Sequence, residues 1–396
     1  MNREQVFIEN LGQTTPFPFK LDIDFAKGIY IYDKTGKSYM DMISGVAVNN
    51  IGHCHPAVIE ALRKQMEKHL HVMVYGEFIQ DSQLEMAKEL TSILPDSLNS
   101  VYVVNSGTEA NEAALKLAKR VTGRTEIISF RGSYHGSTHG SMSVSGNEIK
   151  KLAFRPLLPD VNFIQFNIEE ELKQITEKTA GVILETIQGD AGVRIPDISY
   201  MKSLRKRCDE TGTLLILDEV QVGMGRTGKN FAFEHFDIVP DILTLGKALG
   251  GGMSIGALVS STENMNQFTH NPMLGHITTF GGHPMNCTAS AAMIKVLKDE
   301  IDYQEVERLG KLLEDLVLKE KEVIEIRRKG MLFAIDMVSA ERVSKVVEEC
   351  LKNGLLSFWF LSHPYSFRLS PPLNITEKEI RQAAKIILKA ILDTKI

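Results

Sequence analysis

The chain has 396 residues, of which 43% are hydrophobic and 24% are charged, and its formal net charge is −5. This composition is typical of a globular protein and excludes a disordered or fibrous chain, while the length predicts about two or three domains. The small acidic excess disfavours non-specific binding to nucleic acid. No apolar run reaches the roughly 18–20 residues of a membrane span.

The start of the chain and its cysteines indicate the compartment. The stretch MNREQVFIENLG carries charges early and lacks the apolar segment of a secretory signal. The four cysteines are few and far apart, which fits reduced thiols better than a disulfide framework. We therefore expect a cytoplasmic protein.

Taken in chain order, the first element is a hairpin-like segment over residues 29–42, with its turn at Asp33–Gly36. Between residues 100 and 260, short apolar runs alternate with glycine-containing turns and with a helical pattern at 109–121. Continuous apolar runs are typical of strands buried on both faces of a mostly parallel sheet, so this region predicts an α/β domain. The predicted strands are SVYVV (100–104), EIISF (126–130), GVILE (181–185), TLLIL (213–217), DILTL (241–245) and GALVS (256–260).

After residue 288 the pattern changes to that of a smaller α+β domain. Apolar residues recur at helical spacing over 306–317 and over 380–391, the second behind a capping box of Thr376 and Glu379. Residues 331–337 predict a strand between these helices. We expect a large domain of residues 49–287 and a small domain of residues 1–48 plus 288–396.

Three motifs point to other functions but are incomplete. Gly223–Gly228 matches GxGxxG, yet the stretch Asp218–Gln221 separates it from the preceding strand and no clear helical pattern follows it. The same stretch resembles a phosphate-binding loop, but Asn230 stands where a serine or threonine is needed. His53–His55 is rich in metal ligands but has no second half at zinc spacing, so we predict no metal site.

The remaining candidate residues stand where strands end. Asn105–Glu109 follows one strand and opens a helix, which favours an anion site, although Ser106 and Glu109 also fit an ordinary capping box. Thr278–Gly282 is a second hydroxyl–glycine cluster that would bind phosphate or simply form a turn.

Asp218 ends the run TLLIL, where ligand sites of α/β sheets form, or else caps a turn. Lys247 follows another strand and precedes three glycines, and Tyr134 follows a third strand as a ring for stacking or for the core. A lysine, an acid, a phosphate cradle and an aromatic ring meet the needs of one cofactor, pyridoxal phosphate, which forms a Schiff base with lysine.

These residues resemble the class III aminotransferases of the acetylornithine, ornithine and 4-aminobutyrate type. The motifs NSGTEANEAALKLAK, YHG, LLILDEVQVGMGRTG, DILTLGKALGGG and TTFGGHP occur in order at the family's spacing and span nearly the whole chain. The GxGxxG match is part of the third of these motifs. The resemblance implies the fold-type I architecture, with a large α/β domain around a mostly parallel sheet and a smaller α+β domain.

The resemblance also implies roles at the cofactor. Lys247 forms the Schiff base and carries the proton, while Asp218 pairs with the pyridinium nitrogen. Gln221 bonds the ring hydroxyl, and Tyr134 stacks on the ring. Thr279 reaches the phosphate bound by the other subunit, which implies a homodimer. The other implied cofactor contacts are Ser106, Gly107, Thr108, Glu219 and Val220.

At the substrate end, Arg368 resembles the arginine that binds the α-carboxylate of glutamate or 2-oxoglutarate. Asp190 stands where the family has a glutamate paired with that arginine, and its shorter side chain predicts a looser or water-bridged pair. Ser137 replaces an arginine that binds the donor carboxylate, which disfavours acetylornithine and 4-aminobutyrate themselves as donors. Thr278 completes the implied substrate contacts.

The expected function is transfer of an amino group from an ω-amine or diamine-type, acetylornithine-like amino acid to 2-oxoglutarate. A pyridoxal-phosphate aminomutase or decarboxylase is the alternative on the same fold, and Arg368 disfavours it because it favours a dicarboxylic co-substrate. An inactive binding or regulatory protein is disfavoured by the intact Lys247 and Asp218. The hypothesis of a nucleoside triphosphatase depends only on the incomplete phosphate-binding loop.

Overall fold

The computed structural model describes residues 2–395. Its strands are β1 (Ile23–Lys27), β2 (Tyr30–Asp33), β3 (Ser38–Asp41), β4 (Ser100–Val104), β5 (Glu126–Phe130), β6 (Val161–Ile164), β7 (Thr179–Glu185), β8 (Leu214–Asp218), β9 (Ile242–Gly246), β10 (Gly256–Ser260), β11 (Val323–Lys329), β12 (Leu332–Met337), β13 (Leu355–Leu356), β14 (Phe358–Trp359) and β15 (Ser366–Leu369).

The helices are α1 (Arg3–Asn10), α2 (Ser44–Ala47), α3 (Pro56–Lys68), α4 (Asp81–Thr91), α5 (Gly107–Thr122), α6 (His139–Val144), α7 (Glu148–Lys151), α8 (Ile198–Thr211), α9 (Thr262–Met265), α10 (Pro284–Asp299), α11 (Tyr303–Val317), α12 (Ala340–Lys352) and α13 (Glu377–Asp393). Short 3-10 turns join several of these elements, including one at Lys247–Gly250 directly after β9. No helix in residues 2–395 is both long enough and apolar enough to cross a membrane.

A seven-stranded sheet forms the centre of the molecule, in the order β4-β10-β9-β8-β7-β5-β6. Only β10 runs antiparallel to its neighbours β4 and β9, and the other pairs are parallel. All six strands predicted for this region are present, within two residues of the predicted ends. Strand β6 was not predicted, because it is an edge strand in which the exposed Asn162 interrupts the apolar pattern.

Both faces of this sheet are covered, as the continuous apolar runs predict. Ile183, Ile216 and Ile242 point to one face, where they pack with alanines and leucines of α5. Their neighbours in the strands, such as Leu217 and Leu245, join the main core on the other face. Because side chains alternate along a strand, a strand buried on both sides does not need a polar residue at every second position.

Two four-stranded sheets lie outside the central one, in the orders β1-β2-β3-β13 and β11-β12-β15-β14. The predicted hairpin is the antiparallel pair β2 and β3, and β13 pairs with β3 in parallel. The division into residues 49–287 and 1–48 plus 288–396 remains a proposal, which the pairing of β3 with β13 supports. Residue 287 lies inside the continuous helix α10.

Capping follows the expectation at one helix and departs from it at another. Thr376 and Glu379 form the complete capping box of α13. At α5, Ser106 accepts a hydrogen bond from the Glu109 amide, but the Glu109 carboxylate turns to the backbone and side-chain nitrogens of Asn105, both at 2.8 Å. The predicted box at Ser106 and Glu109 is therefore only half correct, because Asn105 lies within reach as a better-placed donor.

Candidate active site

The carboxyl ends of β8 and β9 and the start of α5 meet at one edge of the central sheet. This follows from the fold, because neighbouring parallel strands end at the same edge and the helices there begin with free N–H groups. The edge holds a cavity of about 270 Å³. It is lined by Gly107, Thr108, Asn111, Tyr134, His135, Gly136, Ser137, Glu185, Ile187, Asp218, Val220, Gln221, Val222 and Lys247.

Lys247 reaches this cavity from the turn after β9. Its backbone φ is 44°, a value that residues other than glycine rarely adopt. Burial, and next the charge of Arg368, lower the pKa of its amine to about 8, while the charge of Asp218 opposes the shift. The amine has one weak contact, at 3.4 Å from Oε1 of Gln221. A lysine in this state is a nucleophile near neutral pH.

Asp218 is held by three donors. Its Oδ2 accepts hydrogen bonds from Nδ2 of Asn111 at 2.8 Å and from Nδ1 of His135 at 2.7 Å, and its Oδ1 accepts one from the amide of Val220 at 3.0 Å. Because a carboxylate only accepts, Nδ1 of His135 carries a proton. Asn111 and His135 were not predicted as site residues, although both lie inside the motifs NSGTEANEAALKLAK and YHG.

The proposed phosphate end depends on two close approaches. A Cβ at Gly107 would lie 2.6 Å from Cγ1 of Val220, and a Cβ at Gly136 would lie 2.2 Å from Oγ1 of Thr108. Only glycine allows α5 to begin this close to the cavity. The Thr108 hydroxyl is bonded to Ser141 and Thr138, so this end offers the N–H groups of the first turn of α5 rather than a free hydroxyl.

Tyr134 and Ser137 form the outer wall. Their hydroxyl oxygens are 3.2 Å apart, and the Tyr134 ring is half exposed.

A second buried acid, Glu185, is the last residue of β7. Its oxygens accept hydrogen bonds from the amides of Tyr134 and Gly189 at 2.9 and 3.0 Å. Burial, with the nearby charge of Asp218, raises the pKa of Glu185 to about 8. Sequence reasoning missed this acid, although it stands at a strand end as Asp218 does.

Several residues expected at the cofactor, and Thr278 expected at the substrate, do not line the cavity. The Glu219 carboxylate accepts hydrogen bonds from Thr186 and from the amides of Ala232 and Phe233, so both of its oxygens are paired with the protein. Thr278 bonds to Asn105 and to the amide of Gly281. The cavity lining leaves out Ser106, Glu219, Thr278 and Thr279.

Arg368, on β15, pairs directly with Asp190, with 2.8 Å between Nη2 and Oδ1. The expectation of a looser or water-bridged pair is wrong, because the backbone brings Asp190 close enough to offset its shorter side chain. The Asp190 carboxylate also accepts hydrogen bonds from the amide of Leu361 at 3.1 Å and from the Ser362 hydroxyl at 3.0 Å. Burial lowers the pKa of Arg368, and Asp190 opposes this shift.

The residues present fit pyridoxal phosphate. Within the described chain, Nε2 of Gln221 is buried without a hydrogen-bond partner, so it is a donor ready for a ligand oxygen. A reactive lysine, a carboxylate at a strand end and a helix N-terminus occupy the same cavity. These groups match an aldehyde, a ring nitrogen and a phosphate respectively.

Comparison with known proteins gives the family. The aminotransferase class-III family matches residues 13–391. Acetylornithine aminotransferase of Methanopyrus kandleri is 38% identical over 97% of this chain and 97% of its own length. The [LysW]-aminoadipate semialdehyde/glutamate semialdehyde transaminase of Sulfurisphaera tokodaii is 37% identical over 95% of this chain and 96% of its own length.

A solved ornithine aminotransferase of Toxoplasma gondii, described with partial occupancy of pyridoxal phosphate at its active site, superposes with a TM-score of 0.90. It is 31% identical, and the match covers 99% of this chain and 95% of that one. The likeness extends over the whole fold, including the central sheet that carries the cavity. This chain therefore belongs to the class-III aminotransferase family and is an aminotransferase that uses pyridoxal phosphate.

Proposed function

We propose that this protein moves an amino group from an ω-amine or diamine-type, acetylornithine-like amino acid to 2-oxoglutarate. The observation that carries the proposal is the juxtaposition of Lys247, with its lowered amine pKa, and the hydrogen-bonded Asp218 in one cavity. Arg368 acts on the Lys247 amine electrostatically. We assign it as the group that binds the substrate carboxylate.

When bound, pyridoxal phosphate supplies an aldehyde that takes up the amino group and a ring that stabilises negative charge on the substrate carbon. Lys247, as a neutral amine, would hold this group at its aldehyde carbon and would move the proton at the substrate carbon. Asp218 would hold the proton on the ring nitrogen, and Gln221 would donate its unpaired Nε2–H to the ring hydroxyl. Tyr134 would supply an aromatic ring to pack against the cofactor, and the amides of the first turn of α5, at Gly107 and Thr108, would bind the phosphate.

Arg368 binds the α-carboxylate of glutamate or 2-oxoglutarate. Its Nε donates to the carbonyl of Trp359 at 3.0 Å and its Nη2 donates to Asp190, which leaves Nη1 without a protein partner in the described chain. Ser137 brings no charge to the outer wall, so a donor carboxylate has no bidentate partner at that end. Acetylornithine is the donor that the names of the relatives suggest, and Ser137 makes it a weaker one here.

We further propose a cytoplasmic homodimer that binds no nucleic acid. Thr279 is exposed, and it lies among exposed apolar side chains at Met273, Ile277 and Phe280. A surface of this kind suits a second copy of the chain, in which Thr279 reaches the phosphate of the neighbouring site. The four cysteines are free, in keeping with a reducing compartment.

The test is a substrate panel. Purified protein is loaded with pyridoxal phosphate and mixed with monoamines, diamines and ω-amino acids, with 2-oxoglutarate or pyruvate as acceptor, and the amino acid formed is measured. Formation of glutamate that depends on a diamine-type donor supports the proposal. Release of carbon dioxide, or isomerisation of the donor without any glutamate, would favour the decarboxylase or the aminomutase instead.

A further inference from the structure

The side-chain amide of Asn111 is held in one orientation beside Asp218. Oγ1 of Thr244 donates a hydrogen bond to Oδ1 of Asn111 at 2.7 Å. The Nδ2 group then donates to the carbonyl of His135 at 2.7 Å and to Oδ2 of Asp218 at 2.8 Å. All four residues are buried, with at most 4% of their surface exposed. The amide oxygen therefore has a donor and both N–H groups have acceptors, which holds the amide in this orientation.

The fold explains why these groups meet. Asp218 ends β8, and its partner across the parallel pair is Thr244 of β9, three residues before Lys247. Asn111 projects from the second turn of α5, which packs across β8 and β9. Thr244 thus lies between the backbone that carries the reactive lysine and the amide that contacts the acid.

The orientation of the Asn111 amide decides whether its contact stabilises or destabilises the negative charge of Asp218. With Nδ2 toward the carboxylate, Asn111 stabilises the ionised form, because hydrogen bonds to a charged group favour that charge. If the amide were reversed, its oxygen would face the carboxylate oxygen and destabilise the same charge. Two contacts oppose this reversal. The Thr244 hydroxyl would lose Oδ1 as the acceptor of its proton, and the His135 carbonyl, which only accepts, would lose its Nδ2 donor.

We propose that Thr244 and Asn111 are positioning residues that keep Asp218 ionised and directed at the ring nitrogen of the cofactor. This inference rests on the proposed function, because the two residues would act by maintaining the electron-withdrawing effect of the cofactor ring. A carboxylate that loses one donor holds a proton more tightly, so the proton shared with the ring nitrogen moves toward Asp218. The ring then carries less positive charge.

The titratable groups that face Asp218 are His135 from the loop after β5, Glu185 at the end of β7, and Lys247 after β9. None of them contacts the Thr244 hydroxyl through a hydrogen bond in the described chain. Replacement of Thr244 by valine removes that hydroxyl and keeps the branched shape. It therefore changes the donor set of Asp218 through Asn111 alone.

The experiment is a spectroscopic pH titration of the loaded protein, with the visible absorbance of the bound cofactor as readout. For Thr244→Val, we expect the midpoint to rise by about 0.5–1 pH unit, because a less positive ring repels the proton on the lysine-linked nitrogen less. Thr244→Ser restores the hydroxyl and should restore the midpoint. A structural role alone would lower stability without moving the midpoint.

The matched control is Thr186→Val. The Thr186 hydroxyl is also buried and also donates to an acid, but that acid is Glu219, which lies outside the cavity lining. The titration midpoint of the Thr186→Val variant should equal that of the unaltered protein. If Thr244→Val does not fold, Asn111→Ser provides the second variant, and it should raise the midpoint in the same direction.

An unchanged midpoint in the folded Thr244→Val or Asn111→Ser protein overturns the inference. Failure of the proposed function has a different signature. In that case the unaltered protein shows no visible band with pyridoxal phosphate, or a band that does not respond to any amine. A responsive band with an unshifted midpoint refutes only the roles of Thr244 and Asn111.

Discussion

The two ends of the site are built differently. At the cofactor end, Asp218 and Lys247 follow neighbouring strands of a single sheet, and α5 begins beside them. At the carboxylate end, Arg368 and Asp190 lie 178 residues apart and come together only where β15 packs against the loop after β7. The first arrangement follows from strand order, and the second depends on how the smaller sheet sits on the larger one.

The two ends also differ in what remains unpaired. The cofactor end keeps a buried free donor on Gln221 and a lysine with one weak contact. The carboxylate end already neutralises its cation, since Asp190 binds Arg368, Leu361 and Ser362 together. The first end is prepared for a tightly bound group, whereas the second is prepared to exchange one carboxylate for another.

The largest expected effect is at Lys247, whose loss removes the reactive group of the cofactor end. Lys247→Ala should lower turnover by about 10⁴-fold or more, since a nucleophile and a proton carrier are lost together. Borohydride reduction of the loaded protein followed by peptide mapping should place the label on Lys247. Lys229→Ala is the control, because Lys229 bonds to the carbonyl of Glu234 and does not line the cavity. A label on another lysine would contradict the assignment.

Arg368→Ala tests the carboxylate end in the same way. We expect the glutamate half-reaction to lose roughly 2–4 kcal/mol of transition-state stabilisation, or about 30- to 1,000-fold in kcat/KM, because the fork that binds the carboxylate is gone. The half-reaction of a simple monoamine should change far less. Arg205→Ala breaks another arginine–aspartate contact, with Asp241, away from the cavity, and it controls for lost stability. Equal losses with glutamate and monoamine would place the carboxylate elsewhere.

Asp218→Asn should slow both half-reactions by about 10- to 150-fold, because a charge-assisted hydrogen bond of roughly 1.5–3 kcal/mol is lost. Single-turnover rates with glutamate and with a monoamine measure this directly. Since the effect belongs to the cofactor end, it should be the same for both substrates. A loss confined to glutamate would show that Asp218 acts on the substrate carboxylate instead.

Ser137→Arg should alter only the choice of donor. A new guanidinium at the outer wall gives a donor carboxylate a charged partner, so kcat/KM for 4-aminobutyrate and acetylornithine should rise by about 10-fold. Ser137→Gln adds length without charge and serves as the control. High activity of the unaltered protein on both donors would show that another cation already binds their carboxylate.

The pH dependence of cofactor uptake is the smallest effect. Lys247 reacts as the neutral amine, and its pKa in the folded protein is lowered from 10.5 to about 8. The rate at which cofactor-free protein takes up pyridoxal phosphate should therefore rise with pH through a midpoint near 8 and level off above it. A midpoint near 10 would mean that water, rather than the protein interior, surrounds the amine.

The sequence by itself determined the six central strands and α5, and it placed Asp218 and Lys247 at strand ends. It succeeded there because burial on both faces produces continuous apolar runs, and because strand ends of one sheet share an edge. The edge strand β6 was not predicted, because one exposed face leaves a pattern too short and too polar to distinguish from a loop.

Only the tertiary structure decided the partners of the functional groups. It left Glu219 out of the cavity lining, brought Asn111 and His135 to Asp218, and paired Asp190 with Arg368 at 2.8 Å. Sequence spacing measures distance along the chain, whereas a hydrogen bond needs two groups within about 3 Å and in the right direction. That geometry is set by how the elements pack, and no local pattern records it.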